Sequence, residues 1–164
     1  MAGTGAGHCL AARGFACAVS CGGCRRPSRQ TKDRVIAAGM QNACVFPGLV
    51  DDIRDVLGAC DVGFVLSHFE ALSYACRETM SMGLPTLVTN TGGLPENLTH
   101  GEQGWIVPVQ QSGAIVPILH DLAQSPQLSV EMGKAARRHS ERYFALAPFT
   151  TQTMQVYKNT VAPI

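Results

Sequence analysis

No apolar run in this 164-residue chain approaches the roughly 20 residues that a membrane-crossing helix requires, so no transmembrane segment is expected. Nor does a basic region precede an apolar core at the N-terminus, and no secretory signal is expected. Charge is scarce: Asp, Glu, Lys and Arg make up 15% of the residues and the formal net charge is +1. A chain so close to neutral offers no broad field to a polyanion, which argues against a nucleic-acid partner. The run Arg25, Arg26, Arg29, Lys32 and Arg34 is basic but has no interleaved aromatics, and reads as a solvated stretch. Also missing are a Walker pattern and a dinucleotide glycine fingerprint; Gly48 and Gly63 do not assemble one. Ser73 has no convincing His–Asp set, although His68, His100 and His120 exist, so a serine hydrolase is not supported.

What is present is apolar. Hydrophobic residues reach 46% with a mean hydropathy of +0.09, which fits a folded chain with one face meant for a partner and a weak tendency to self-associate. The length suits one α/β domain and not two. Seven cysteines are scattered along the chain. Cys44, Cys60 and Cys76 fall in apolar periodic segments, where a reduced thiol acts as a small hydrophobe. An odd, dispersed set favours a reducing compartment over a disulfide framework. The expected location is the cytoplasm, or a peripheral position at the inner membrane face. Cys17, Cys21 and Cys24 have a spacing used by radical iron–sulfur enzymes, yet that spacing should follow a barrel strand with several more βα units, and Gly23 stands where an aromatic is expected. His8 and Cys9 with two of these cysteines make a zinc site the other minor reading. The sequon Asn97-Leu98-Thr99 is expected to be silent in a cytoplasmic chain.

Residues 1–30 are rich in Gly, Ala, Cys and Arg without sustained period, and are expected to be irregular or an atypical strand–helix remnant. From Thr31 to the end the pattern is that of one domain. Residues 43–46 read as a strand closed by Pro47-Gly48, and 61–67 as a strand covered on both faces. Asp51 and Asp52 offer caps for a helix through Ala59 with Ile53, Val56 and Leu57 on one side. Residues 72–82 read as a helix stopped by Gly83-Leu84-Pro85, 86–89 as the next strand and 105–109 as another, short or at an edge because of Pro108. Helices are expected over 113–123, 128–144 and 148–159. Strands alternating with helical lengths imply an α/β fold with a doubly wound parallel sheet. Ligands then bind beyond the carboxyl ends of its strands, where the loops 67–71, 90–96 and 47–51 fall.

The sharpest feature runs from Ser67 to Glu78. Glu70 lies in a strand-to-helix loop and Glu78 about two turns along the next helix. The amides of residues 71–73 open that helix, a natural seat for phosphate, and carboxylates accept hydrogen bonds from vicinal hydroxyls. Surface charge is the plain alternative for both acids. The neighbours Cys76, Met80 and Met82 suggest buried surroundings for Glu78, where a carboxylate needs a partner.

Glu70 and Glu78 with seven residues between them, then Thr79 through Asn97 with Gly83-Leu84-Pro85 and Gly92-Gly93-Leu94-Pro95-Glu96, and Gly101-Glu102-Gln103-Gly104-Trp105, resemble the C-terminal domain of the large retaining glycosyltransferase family with the GT-B fold. The pieces Phe46-Pro47-Gly48 and Asp61 to Val65 extend the resemblance upstream. It implies the Rossmann-like half of a GT-B enzyme, glycosyltransferase family 4-like, that binds a UDP- or GDP-linked sugar. No cofactor is implied and no divalent metal is normally essential. By that resemblance Glu70 contacts the donor sugar's hydroxyls as the catalytic-site acid. The amides near Leu72 and Ser73 hold the diphosphate, and Glu78 accepts from both ribose hydroxyls. The base lies against the loop at Gly48 and Leu49, while Gly92 and Gly93 allow close backbone approach and Glu96 starts the short helix behind.

The chain departs from the family pattern in three ways. Ala71 and Ser73 stand where many members have glycine, and the basic pair that grips the diphosphate has no recognisable counterpart among Arg25, Arg26, Arg29 and Lys32. Within 164 residues no room is expected for the family's N-terminal domain with the acceptor pocket and a catalytic histidine. The expected chain is therefore an incomplete glycosyltransferase that needs a separately encoded acceptor domain. The alternative is a non-catalytic nucleotide-sugar-binding or interaction module left by truncation.

Overall fold

The computed structural model describes residues 7–12, 16–21, 29–48 and 50–161, with side chains from Arg29 onward. Six strands form one sheet: β1 (Gly7–Ala12), β2 (Ala16–Cys21), β3 (Cys44–Val45), β4 (Val62–Val65), β5 (Thr86–Thr89) and β6 (Gly104–Val107), in the order β3-β2-β1-β4-β5-β6. β4, β5 and β6 are parallel, as are β2 and β3. β1 runs antiparallel to both of its neighbours, β2 and β4. The expected parallel sheet is thus present with one reversed strand inserted, and the carboxyl ends of β2, β3, β4, β5 and β6 all reach the same edge.

β1 and β2 fall in the stretch for which an irregular structure is expected. Their sequences, Gly-His-Cys-Leu-Ala-Ala and Ala-Cys-Ala-Val-Ser-Cys, are built mostly of small residues. Small residues give no clear alternation of apolar and polar positions, and that alternation is the signal by which a strand is read. The cysteine-cluster and zinc readings fall on these two strands and on Cys24, outside the residues whose side chains are described.

Among the described residues six α-helices accompany the sheet: α1 (Arg29–Ala37), α2 (Ile53–Leu57), α3 (Tyr74–Ser81), α4 (Ile115–Gln124), α5 (Pro126–Tyr143) and α6 (Leu146–Thr160). Asp52 caps α2, its carboxylate accepting from the Arg54 amide at 2.9 Å, and the adjoining Arg54 guanidinium holds that acid down at about 2. α3 starts at Tyr74 because the Ser73 hydroxyl accepts from the Cys76 amide at 3.2 Å. β6 ends at Val107, just before Pro108, which has no N–H for the ladder.

Successive residues of a strand face opposite sides, and the two halves of the core follow that rule. Val62 and Phe64 of β4, Leu87 of β5 and the partly buried Trp105 pack with Ile115, Ile118, Leu119 and Leu122 of α4. On the other side Val65, Val88 and Ile106 meet Ala75, Cys76 and Met80 of α3 and Ala136 of α5. Leu57 of α2 and Leu84 form a smaller third cluster. Burial pushes the Cys76 thiol up to about 12, so it stays protonated and packs as the small hydrophobe its sequence context predicts. Among the described residues no helix is long and apolar enough to cross a membrane.

Candidate functional site

The loops that leave β3, β4, β5 and β6 share one edge of the sheet, and the loop from β4 carries Glu70. Its backbone is set by the turn after β5. Thr89 and Thr91 donate their hydroxyls to the carbonyls of Ser67 and His68, at 2.6 and 3.1 Å. The Gly93 amide donates to the Glu70 carbonyl at 3.1 Å. Gly92 has φ +51°, and a Cβ on it would stand 1.7 Å from the Glu70 carbonyl oxygen; one on Gly93 would stand 2.1 Å from that of Ala71. These glycines therefore serve an approach between two protein backbones. Glu70 itself is half-buried, with Phe69 and Leu72 exposed beside it.

Beyond the loop, α3 turns Ala75, Cys76, Thr79 and Met80 inward. This i, i+1, i+4, i+5 set makes one helical face. Glu78 and Tyr74, one turn apart, lie on the other and are exposed. The buried surroundings expected for Glu78 are thus corrected: Cys76 and Met80 are buried, but they point the other way. Ser73 is almost fully buried, at 2% exposure, as the cap of α3. The amides of Ala71 and Leu72 precede the helix, and that of Ser73 is the first of the four N–H groups at a helix start that lack a helical partner.

Gly48 follows β3 with φ +73°; Leu49 lies outside the described residues. β2 and β1 intervene between β3 and β4, which separates the Gly48 loop from the Glu70 loop by roughly 14 Å at the usual strand spacing. The structure therefore brings Glu70, Leu72, Ser73, Gly92 and Gly93 together, and sets Gly48 apart along the same edge. Lys32 of α1, one of the basic residues singled out above, stands with its ammonium 5.9 Å from the centre of the Phe46 ring, just before Gly48.

One part of this edge had no clear signal in the sequence. A cleft of about 210 Å³ lies at the carboxyl ends of β4, β5 and β6, lined by Leu66, Thr89, Val107, His68 and Gln110 among others. Gln110 is the one described residue other than glycine with positive φ, at 61°, and its amide nitrogen lies 3.5 Å from His68 Nδ1. Only the run Pro108-Val109-Gln110-Gln111, without periodicity after a strand, hinted at a loop there. Among the described residues no group of three or more His, Cys, Asp or Glu is placed to hold a metal ion.

The family model for glycosyl transferases group 1 matches residues 21–139, well over half of the sequence. This chain is a member of the glycosyl transferases group 1 family. It is 29% identical over 140 residues to a D-inositol 3-phosphate glycosyltransferase of Streptomyces avermitilis, covering 75% of this chain and 30% of that protein. With an N-acetyl-alpha-D-glucosaminyl L-malate synthase of Bacillus anthracis it shares 25% identity over 118 residues, 72% of this chain and 31% of the relative. The chain thus spans about 30% of the length of these curated relatives. Among solved structures, Anabaena HepE in complex with UDP superposes with a TM-score of 0.76 at 20% identity, covering 80% of this chain and 36% of HepE. The C-terminal domain of a glycosyl transferase group 1 family protein from Francisella tularensis superposes at 0.64 with 21% identity, covering 72% and 62%. At these identities the likeness is one of fold: this family member has the Rossmann-like half of the GT-B architecture.

Proposed function

We propose that this family member binds a UDP- or GDP-linked sugar at the shared strand edge, for glycosyl transfer with retention of anomeric configuration. The observation that carries the reading is the Glu70 loop, pinned by the Gly92-Gly93 turn directly ahead of α3 and its outward-facing Glu78. Glu70 takes the sugar hydroxyls, the Leu72 and Ser73 amides meet the diphosphate, and Glu78 takes the ribose. The base lies toward Gly48, and the roughly 14 Å between the two loops suits an extended nucleotide. UDP in the HepE structure supports this class of ligand.

In the transfer step the acceptor hydroxyl attacks the anomeric carbon on the face from which the nucleoside diphosphate leaves. The departing phosphate oxygen takes the hydroxyl proton, so no carboxylate of the glycosidase kind is needed. Helix-start amides stabilise the charge that develops on the leaving group. A second domain supplies the acceptor pocket, whether joined to this chain or separately encoded.

Exchange of Glu78 for Gln is expected to weaken UDP or GDP binding by about 1–3 kcal/mol, since a charge-assisted acceptor becomes a weaker one. Glu70→Gln is expected to spare the free nucleotide and weaken the sugar nucleotide. Calorimetry on both variants checks the pair, and equal losses of nucleotide affinity contradict the assigned roles.

The polypeptide of these 164 residues is also expected to bind a donor without transferring its sugar. A cleft between two domains gives the reaction its acceptor position and excludes water, and one wall of it is present here. The assay follows nucleoside diphosphate release with pooled lipid and carbohydrate acceptors. Sustained acceptor-dependent release that Glu70→Ala abolishes would overturn this expectation.

A further inference from the structure

Asn97 is a polar side chain with 1% exposure, and all of its hydrogen-bonding groups point at the glycine turn or at α3. Its amide nitrogen donates to the carbonyls of Gly93 at 2.9 Å and Leu94 at 3.2 Å. Its amide oxygen accepts from Arg77 Nε at 3.0 Å. The Arg77 guanidinium in turn lies 4.5 Å from the centre of the Phe144 ring, just past the end of α5. Gly93, held by its carbonyl, gives its amide to the Glu70 carbonyl.

The contacts close a ring. From Glu70 the chain enters α3, Arg77 leaves α3 for Asn97, Asn97 holds Gly93, and Gly93 returns to Glu70. The sequon reading of Asn97 finds its physical answer here, because an amide so buried and so bonded is no acceptor for a glycan in the folded chain.

We propose that Arg77 and Asn97 are positioning residues for the donor sugar: they fix the glycine turn, and through it the backbone from which the Glu70 carboxylate reaches the sugar hydroxyls. The proposal rests on the donor reading above. It differs from general support of the fold because it acts on Glu70, at the sugar, and not on the part of the site that holds the nucleotide. Arg77 itself lies outside the buried set Ala75, Cys76, Thr79 and Met80 of α3, and its guanidinium touches the core only through Phe144.

The test uses the full chain with Arg77→Met, which keeps the apolar stem, and Asn97→Asp, which keeps an acceptor for Arg77 but sets a carboxylate against the Gly93 and Leu94 carbonyls. The probes are UDP-glucose with UDP and GDP-mannose with GDP. Both variants are expected to lose about tenfold in sugar-nucleotide affinity, the worth of one charge-assisted hydrogen bond, with affinity for the matching nucleoside diphosphate unchanged. Equal losses for the two members of a probe pair, or no loss for either, overturn the proposal. Should the unsubstituted chain bind none of the four, the donor reading fails. Hydrogen exchange at the Gly93 amide then decides the positioning role. Exchange about tenfold faster in Arg77→Met, with the amides of β5 unchanged, supports it; an unaltered rate overturns it. If Asn97→Asp does not fold, Arg77→Met carries both readouts alone.

Discussion

Gly92→Ala is expected to destabilise the chain by about 3 kcal/mol and to cost sugar-nucleotide binding about tenfold or more. Two effects add. The left-handed backbone at φ +51° disfavours any Cβ by about 1–2 kcal/mol, and this particular Cβ would stand 1.7 Å from the Glu70 carbonyl oxygen. The obstructing atom is backbone, so relief requires the Glu70 loop to move, at a typical overpacking cost of about 1–3 kcal/mol. Gly101→Ala separates the two. Its φ is +84°, yet nothing lies within 4 Å of the added atom, so only the conformational part is expected. Urea unfolding of both variants gives the comparison, with sugar-nucleotide titration on each. A Gly92 variant no less stable than the Gly101 one would show that the two loops are not in contact as described.

Leu87→Ala should be comparably damaging, at about 2–5 kcal/mol, with a fall in melting temperature on the order of 10 °C. Leu87 is fully buried at the centre of the parallel strands, packed with Val62, Phe64 and Trp105 beneath α4. Its removal loses transfer free energy and leaves a cavity that a regular sheet closes poorly. A domain with about 5–15 kcal/mol of total stability stands close to unfolding after such a loss. Leu146→Ala is the control: that side chain is 76% exposed on α6, and its truncation is expected to stay within about 0.5 kcal/mol. Thermal and chemical unfolding should rank the two far apart. Similar values would mean that the core does not lie where these residues place it.

The ease of reading differed from element to element for physical reasons. β5, Thr86-Leu87-Val88-Thr89, is a short β-branched run bounded by Pro85 and Asn90, and it is found as expected. α3 has a definite stop at Gly83, but it starts at Tyr74 and not at Leu72, because the Ser73 hydroxyl folds back on the Cys76 amide and caps the helix there. For Glu78 the neighbouring Cys76 and Met80 misled. Residues two apart on a helix do not share a face, so buried neighbours at that spacing say little about the residue between them. β1 and β2 were not legible, because small residues carry too little contrast to mark a face.

The sequence by itself determined the order of strands and helices from Ala43 onward, the glutamate pair and the glycine turn, because periodicity, caps and breakers act over a few neighbouring residues. Only the tertiary structure decided which of these pieces meet. Thr89 reaches Ser67 across 22 residues, and Arg77 reaches Asn97 across 20. Gly92 meets the carbonyl of Glu70, and two strands stand between the strand before Gly48 and the strand before Glu70. Such contacts follow from strand order and from the packing of α3 against the sheet. Those depend on how the whole apolar surface is buried, and no local pattern encodes them.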